Sequence, residues 1–89
     1  MNMKIEITQE HIDAGTPMKA SYCPIAIALA EKFSDRSTIH VWDHEIMIWK
    51  DGRERIGYTH SPQSREFAAN FDEGIEVQPC TLELEREAA

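Results

Sequence analysis

Apolar and polar positions alternate in several short stretches of this chain and recur at helical spacing in others. Met3, Ile5 and Ile7 alternate with Lys4 and Glu6, the period of a strand with one buried face. Thr8 then suits an N-cap for a short helix at Gln9–Ala14, with Ile7 and Ile12 at the hydrophobic-staple spacing. Gly15 offers a left-handed closure for that helix. After a loop, Cys23 suits an N-cap with Pro24 at the first helical position. Ile25, Leu29 and Phe33 form one stripe, widened by Ile27 and Ala28, so a largely buried helix is expected over residues 24–33, ended by Ser34-Asp35. Tyr22 and Ile27 repeat the staple spacing.

The centre of the chain alternates again. Residues 38–42, 45–49 and 54–59 read as three strands of a meander. Ile39, Val41, Ile46 and Ile48 then share one face, and His40, Trp42, Glu45, Met47 and Trp49 the other. The turn decides the third strand. A two-residue Asp51-Gly52 turn places Ile56 with Met47. A three-residue Lys50-Asp51-Gly52 loop, with Gly52 left-handed, keeps Ile56 with the other isoleucines and sends Arg53 and Arg55 to the tryptophan face. The second is preferred, because a one-residue slip would split the apolar set.

Ser61-Pro62 opens a further helix over 62–73, burying Phe67, Ala68 and Phe71. Gly74 closes it, and Ile75 stands where a closing apolar contact is common. Residues 75–77 and 81–85 are strand-like, with Pro79 between them confining the pair to an edge or a bulge. Leu82 and Leu84 face one way, Glu83 and Glu85 the other. Residues 86–89 are expected to fray. The order is β-α-α-β-β-β-α-β: an α+β domain, mainly antiparallel, with helices packed on a sheet that has the meander at its centre. Eighty-nine residues make one domain, 1–89.

Charge narrows the function. Nine Lys and Arg against sixteen Asp and Glu give a net charge of −7. That disfavours duplex nucleic acid, whose binding rests on cationic neutralisation of phosphates. The carboxylates Asp72, Glu73, Glu76, Glu83, Glu85 and Glu87 form a loose series, a candidate acidic face for a basic partner. Asp72 and Glu73 stand in a helix's last turn, against the helix dipole. Such local misfits gather at functional sites. A solvated edge strand, protected by charge, is the plainer account.

Candidate chemistry is sparse. His40, Trp42, Met47, Trp49, Arg53 and Arg55 form a candidate binding face. It would suit a protein interface, where Trp and Arg are enriched. It would also suit a platform that stacks nucleotides or single-stranded nucleic acid. If helices covered both sides of the sheet, the tryptophans would be core instead. The four histidines lack a two-histidine helical spacing, and two distant cysteines make no zinc motif, so no metal or cofactor is expected. Cys23 at a helix start could be a reactive thiol, although an inert buried cap fits the apolar helix better. Ser61, Ser64 and Arg65 at another helix start could hold a phosphate. No catalytic motif is present, and a non-enzymatic protein is expected. With no secretory or membrane-spanning segment, a cytoplasmic protein with free Cys23 and Cys80 is expected.

The segments ITQEHIDAG (7–15) and CPIAIALAE (23–31) resemble the start of a group of small bacteriophage and bacterial proteins. These begin with a short strand, a T-x-x-x-I-x-x-G helical turn and a Cys-Pro-hydrophobic-Ala helix. The likeness covers the first third of the chain and implies a phage or prophage setting, but no activity. Charge, surface and likeness together lead to the expectation of a small acidic interaction module of inhibitor or adaptor type. It would bind a protein partner or associate with itself as a homodimer.

Overall fold

The computed structural model describes residues 2–33, 38–42, 44–50 and 53–87. Eight elements follow in the expected order: β1 (Asn2–Ile7), α1 (Gln9–Ala14), α2 (Pro24–Ala30), β2 (Thr38–Val41), β3 (Glu45–Lys50), β4 (Glu54–His60), α3 (Pro62–Asp72) and β5 (Cys80–Arg86). The strands form one antiparallel sheet in the order β1-β5-β4-β3-β2. The last strand is therefore inserted between the first and the meander. Strand β5 is an interior strand, not the edge strand expected of it, with Pro79 just before its first residue. The meander fills one end of the sheet rather than its centre.

The capping signals act as their chemistry requires. Thr8 accepts from the His11 N–H, while His11 Nδ1 accepts from the Thr8 N–H at 3.0 Å, a capping box in which an imidazole replaces the usual Glu or Gln. Cys23 Sγ accepts from the Ala26 N–H, and Ser61 Oγ from the Ser64 N–H. Gly74, at φ 79°, closes α3 in a Schellman arrangement: its N–H bonds to Phe71 and that of Ile75 to Asn70.

Several expectations are corrected. Gly15 is extended, at φ −71° and ψ 151°. Glycine stands there for space, because a Cβ would meet the Pro24 ring and the Phe71 ring at under 3.0 Å. Tyr22 is largely exposed, at 63%, rather than buried as a staple residue would be. Helix α2 stops at Ala30, where Lys32 bonds back to Leu29 in a tight last turn; the stop expected at Ser34-Asp35 lies outside the described residues. Ile75 makes the capping bond, but its side chain is half exposed, and residues 75–77 form no strand. Arg86, expected in a frayed end, is the last residue of β5, and the Glu87 N–H bonds to the Gly57 carbonyl.

The register keeps the isoleucines together. Ile48 pairs with Ile56, Trp49 with Arg55 and Lys50 with Glu54. The three-residue connection is thus 51–53, one position later than expected, and Arg53 lies in the turn rather than in the strand. Asp51 and Gly52, on which the backbone reading rested, lie outside the described residues.

The core fills one side of the sheet. Ile5, Ile7, Ile39, Ile46, Ile48, Ile56, Tyr58, Leu82 and Leu84 meet Ile25, Ala26, Ala28, Leu29 and Phe67 of the helices. Fully burying each large aliphatic side chain contributes roughly 1.5–3 kcal/mol. Alternation then commits every intervening strand residue to the opposite side, which is the face that matters below.

Candidate binding face

No helix covers the second side of the sheet among the described residues. Trp42 is 44% exposed and Trp49 41% exposed. Strand alternation and pairing fix their neighbours. Trp42 donates its backbone N–H to the Glu45 carbonyl at the hairpin end, and its ring lies 5.4 Å from that of His40, tilted by 56°. His40 stands opposite Met47, and Thr38 opposite Trp49. The two indoles are therefore separated by four residues of β3, about 14 Å along the strand. They are two anchors, not one cage.

Met47 lies between them and is only 3% exposed, although it is outside the helix-covered core. The Arg55 Nε donates to its sulfur at 3.0 Å, so the guanidinium stem lies over the thioether. Next to Met47 across the ladder is Gly57. The Glu87 carboxylate occupies the place where a Cβ of Gly57 would stand. The result is an apolar floor with an indole at either end and a guanidinium and a carboxylate along one side.

The acidic series divides in two. Because β5 pairs with β4, Glu85 stands opposite Thr59, which in turn stands opposite Glu45. Glu83 and Glu85 therefore join the tryptophan face. Asp72, Glu73 and Glu76 do not. Asp72 and Glu73 line a cleft of about 570 Å³ at the hairpin end, together with Met18, Lys19, Ala20, Cys23, Val41, Trp42, His44, Glu45 and Ala68. Glu76 lies in the segment before β5 and accepts from Gln78. Of the sequence-derived sites, the structure unites His40, Trp42, Met47, Trp49, Arg55, Glu83 and Glu85, sets Arg53 at their margin, and separates the other three carboxylates. Trp42 borders both the open face and the cleft.

Asp72 is not an idle misfit. Its Oδ1 accepts the Met18 N–H at 2.8 Å, and Met18 is the one non-glycine described residue with positive φ, at 61°. The carboxylate thereby ties the loop before α2 to the end of α3. Burial, opposed by backbone hydrogen bonds and assisted by Asp72, pushes the Cys23 thiol up from its ordinary value. Burial also raises Cys80. A helix-start thiolate is thus disfavoured at Cys23, and both cysteines are free.

The histidines are engaged structurally. His11 is buried, and since its Nδ1 accepts from Thr8, its Nε2 carries the proton and donates to Glu31 at 2.8 Å. His60 Nε2 donates to the Trp42 carbonyl, while Nδ1 meets Ser64 Oγ, both at 2.8 Å. Ser64 is fully buried, so this serine–histidine contact locks α3 to the hairpin without offering a nucleophile to a substrate. Arg65 donates to His44 Nδ1 at 2.9 Å across the same junction. Among the described residues, no three His, Cys, Asp or Glu side chains gather as a metal site, and no helix is long and apolar enough to cross a membrane.

In comparisons with known proteins, no family model, curated relative or solved structure matches the chain.

Proposed function

We propose that the protein is a small interaction module of inhibitor or adaptor type that docks a protein partner on its open sheet face. One observation carries the reading: two half-exposed tryptophans flank a nearly buried methionine on a side of the sheet that carries no helix among the described residues. Monomeric domains cover large aromatic surface, and exposed apolar patches rimmed by polar groups mark interaction sites. Two aromatic anchors on either side of an apolar centre at Met47, with charge at the rim, match interface anatomy. Glu45, Glu83, Glu85 and Glu87 on that rim favour a partner with basic residues. The phage-like start of the chain agrees with action on a host component.

The same carboxylates weigh against the nucleotide platform, since each would repel a phosphate, and Arg55 is already engaged over Met47.

The test is a capture experiment from the native host with the full chain, the Trp42→Ala and Trp49→Ala variants, and Gln63→Ala on the helix side. The expected result is one partner retained by the parent and Gln63→Ala proteins and lost by both tryptophan variants at unchanged fold. A partner retained equally by all four proteins would refute this face. Quenching of tryptophan fluorescence by mononucleotides or short single strands would transfer it to the platform reading.

A further inference from the structure

The two edges of the sheet differ. At one edge, β2 is four residues long, and its Val41 N–H is taken by the Ala20 carbonyl at 2.9 Å. At the other, β1 runs for six residues, contains no proline, and among the described residues pairs only with β5. Proteins usually blunt such an edge by shortening, covering or charging it. Here β2 is short and has one N–H taken by the loop before α2, while β1 is longer and carries one cation and one anion, Lys4 and Glu6, both exposed.

We infer that β1 is a homodimer edge, pairing antiparallel with β1 of a second copy about a two-fold axis at Ile5. The register follows from parity and charge. Residues directly opposite in an antiparallel pair share a face, so the apolar positions stay together only when β1 pairs with itself about one of its own residues. Of the five residues of the alternating stretch, centring on Met3 or Ile7 overlaps the strands only at their ends, which leaves three centres. Centring on Lys4 sets that lysine against itself. Centring on Glu6 sets two carboxylates against each other. Centring on Ile5 sets Lys4 opposite Glu6 of the second copy, twice by symmetry. Met3 then meets Ile7 and Ile5 meets Ile5, extending the apolar side. Like charges directly opposite destabilise a ladder and unlike charges stabilise it. The alternation Met-Lys-Ile-Glu-Ile is therefore self-complementary in one register. Lys4 already faces Glu83 and Glu6 faces Thr81 within the protomer, so both side chains lie on the open side of the sheet. The pairing makes a ten-stranded sheet and leaves the tryptophan face of each copy free, so it is independent of the partner docked there.

Sedimentation of the full chain tests this. The parent protein is expected to be a dimer at tens of micromolar. Lys4→Glu and Glu6→Lys each place two like-charge pairs at the edge and should weaken self-association by about tenfold or more. An equimolar mixture of the two variants restores both attractive pairs and should dimerise as a heterodimer. The double swap Lys4→Glu/Glu6→Lys should dimerise by itself. Glu6→Lys stands opposite the uncharged Thr81 within the protomer, and circular dichroism checks directly that the variant stays folded. A monomeric parent protein, single variants that associate as well as the parent, or a mixture that stays monomeric would each overturn the inference.

Discussion

The carboxylate of Asp72 holds the backbone N–H of Met18 at 2.8 Å, across fifty-four positions of sequence. Met18 is in the left-handed region, which L-residues other than Gly, Asn and Asp enter at roughly 1–2 kcal/mol. Asp72 thus offsets one local misfit, its own place at a helix C-terminus, by sustaining another. Met18→Gly should relieve the strain and raise the melting temperature by several degrees, on the scale of about 4–8 °C per kcal/mol for a domain this small. Asp72→Ala should lower it by a similar amount. The Met18→Gly/Asp72→Ala double mutant tests coupling: a non-additive melt is expected because the two residues touch.

The tryptophans should be nearly neutral for stability and decisive for binding. Trp42→Ala and Trp49→Ala leave no cavity, since neither indole is enclosed, and each should destabilise by about 1 kcal/mol. Ile48→Ala, fully buried on the helix side, should lose roughly 2–5 kcal/mol. Urea denaturation of the three variants separates surface anchors from core. A loss of ~3 kcal/mol at either tryptophan would place it in the core instead.

Two glycines of the described chain predict opposite outcomes. Gly15→Ala drives a methyl into the Pro24 and Phe71 rings and should destabilise by roughly 1–3 kcal/mol, the range for overpacking. Gly57→Ala meets only the end of the flexible Glu87 side chain, which can swing away. It should be neutral or stabilising by up to about 1 kcal/mol, because alanine has less freedom to lose on folding. Thermal melts of the two variants check the contrast.

The thiols predict an alkaline slope. Cys23 has a folded-state pKa above its reference value of 9.0, chiefly through burial. The folded state then holds the thiol proton where the unfolded chain has released it. This contribution is fully present below about pH 9 and is lost as pH rises through the raised folded value. Chemical denaturation between pH 7 and 10 should show stability falling above pH 9, with a shallower fall in Cys23→Ala. Cys23 should also react with a thiol reagent more slowly than the same residue in denaturant.

Periodicity and caps made the fold legible. Thr8, Cys23, Ser61 and Gly74 each announce a helix end by local chemistry, and alternation sorted Ile46 and Ile48 from Met47 and Trp49. Alternation says nothing of which strand lies beside which. That β5 enters between β1 and β4 is a long-range choice, and it is the choice that moves Glu83 and Glu85 onto the tryptophan face. The hold of Asp72 on Met18 was illegible for the same reason. Its only trace in sequence was a carboxylate against the helix dipole. Gly15 misled because two unrelated needs, left-handed backbone and close packing, are met by one residue type.

The insertion of β5 also orders events during synthesis. Strand β1 leaves the ribosome before the other described strands, yet its only neighbour among them is the last of the five to be made. Until residues 80–86 emerge, Met3, Ile5 and Ile7 have helices to lean on but no ladder to join. The meander can form earlier, since its pairings are local. Translation that stops before Cys80 therefore yields no smaller version of this domain. It leaves a three-stranded sheet with β4 unguarded and a loose apolar β1, two sticky edges in one chain and a natural substrate for chaperones and proteases.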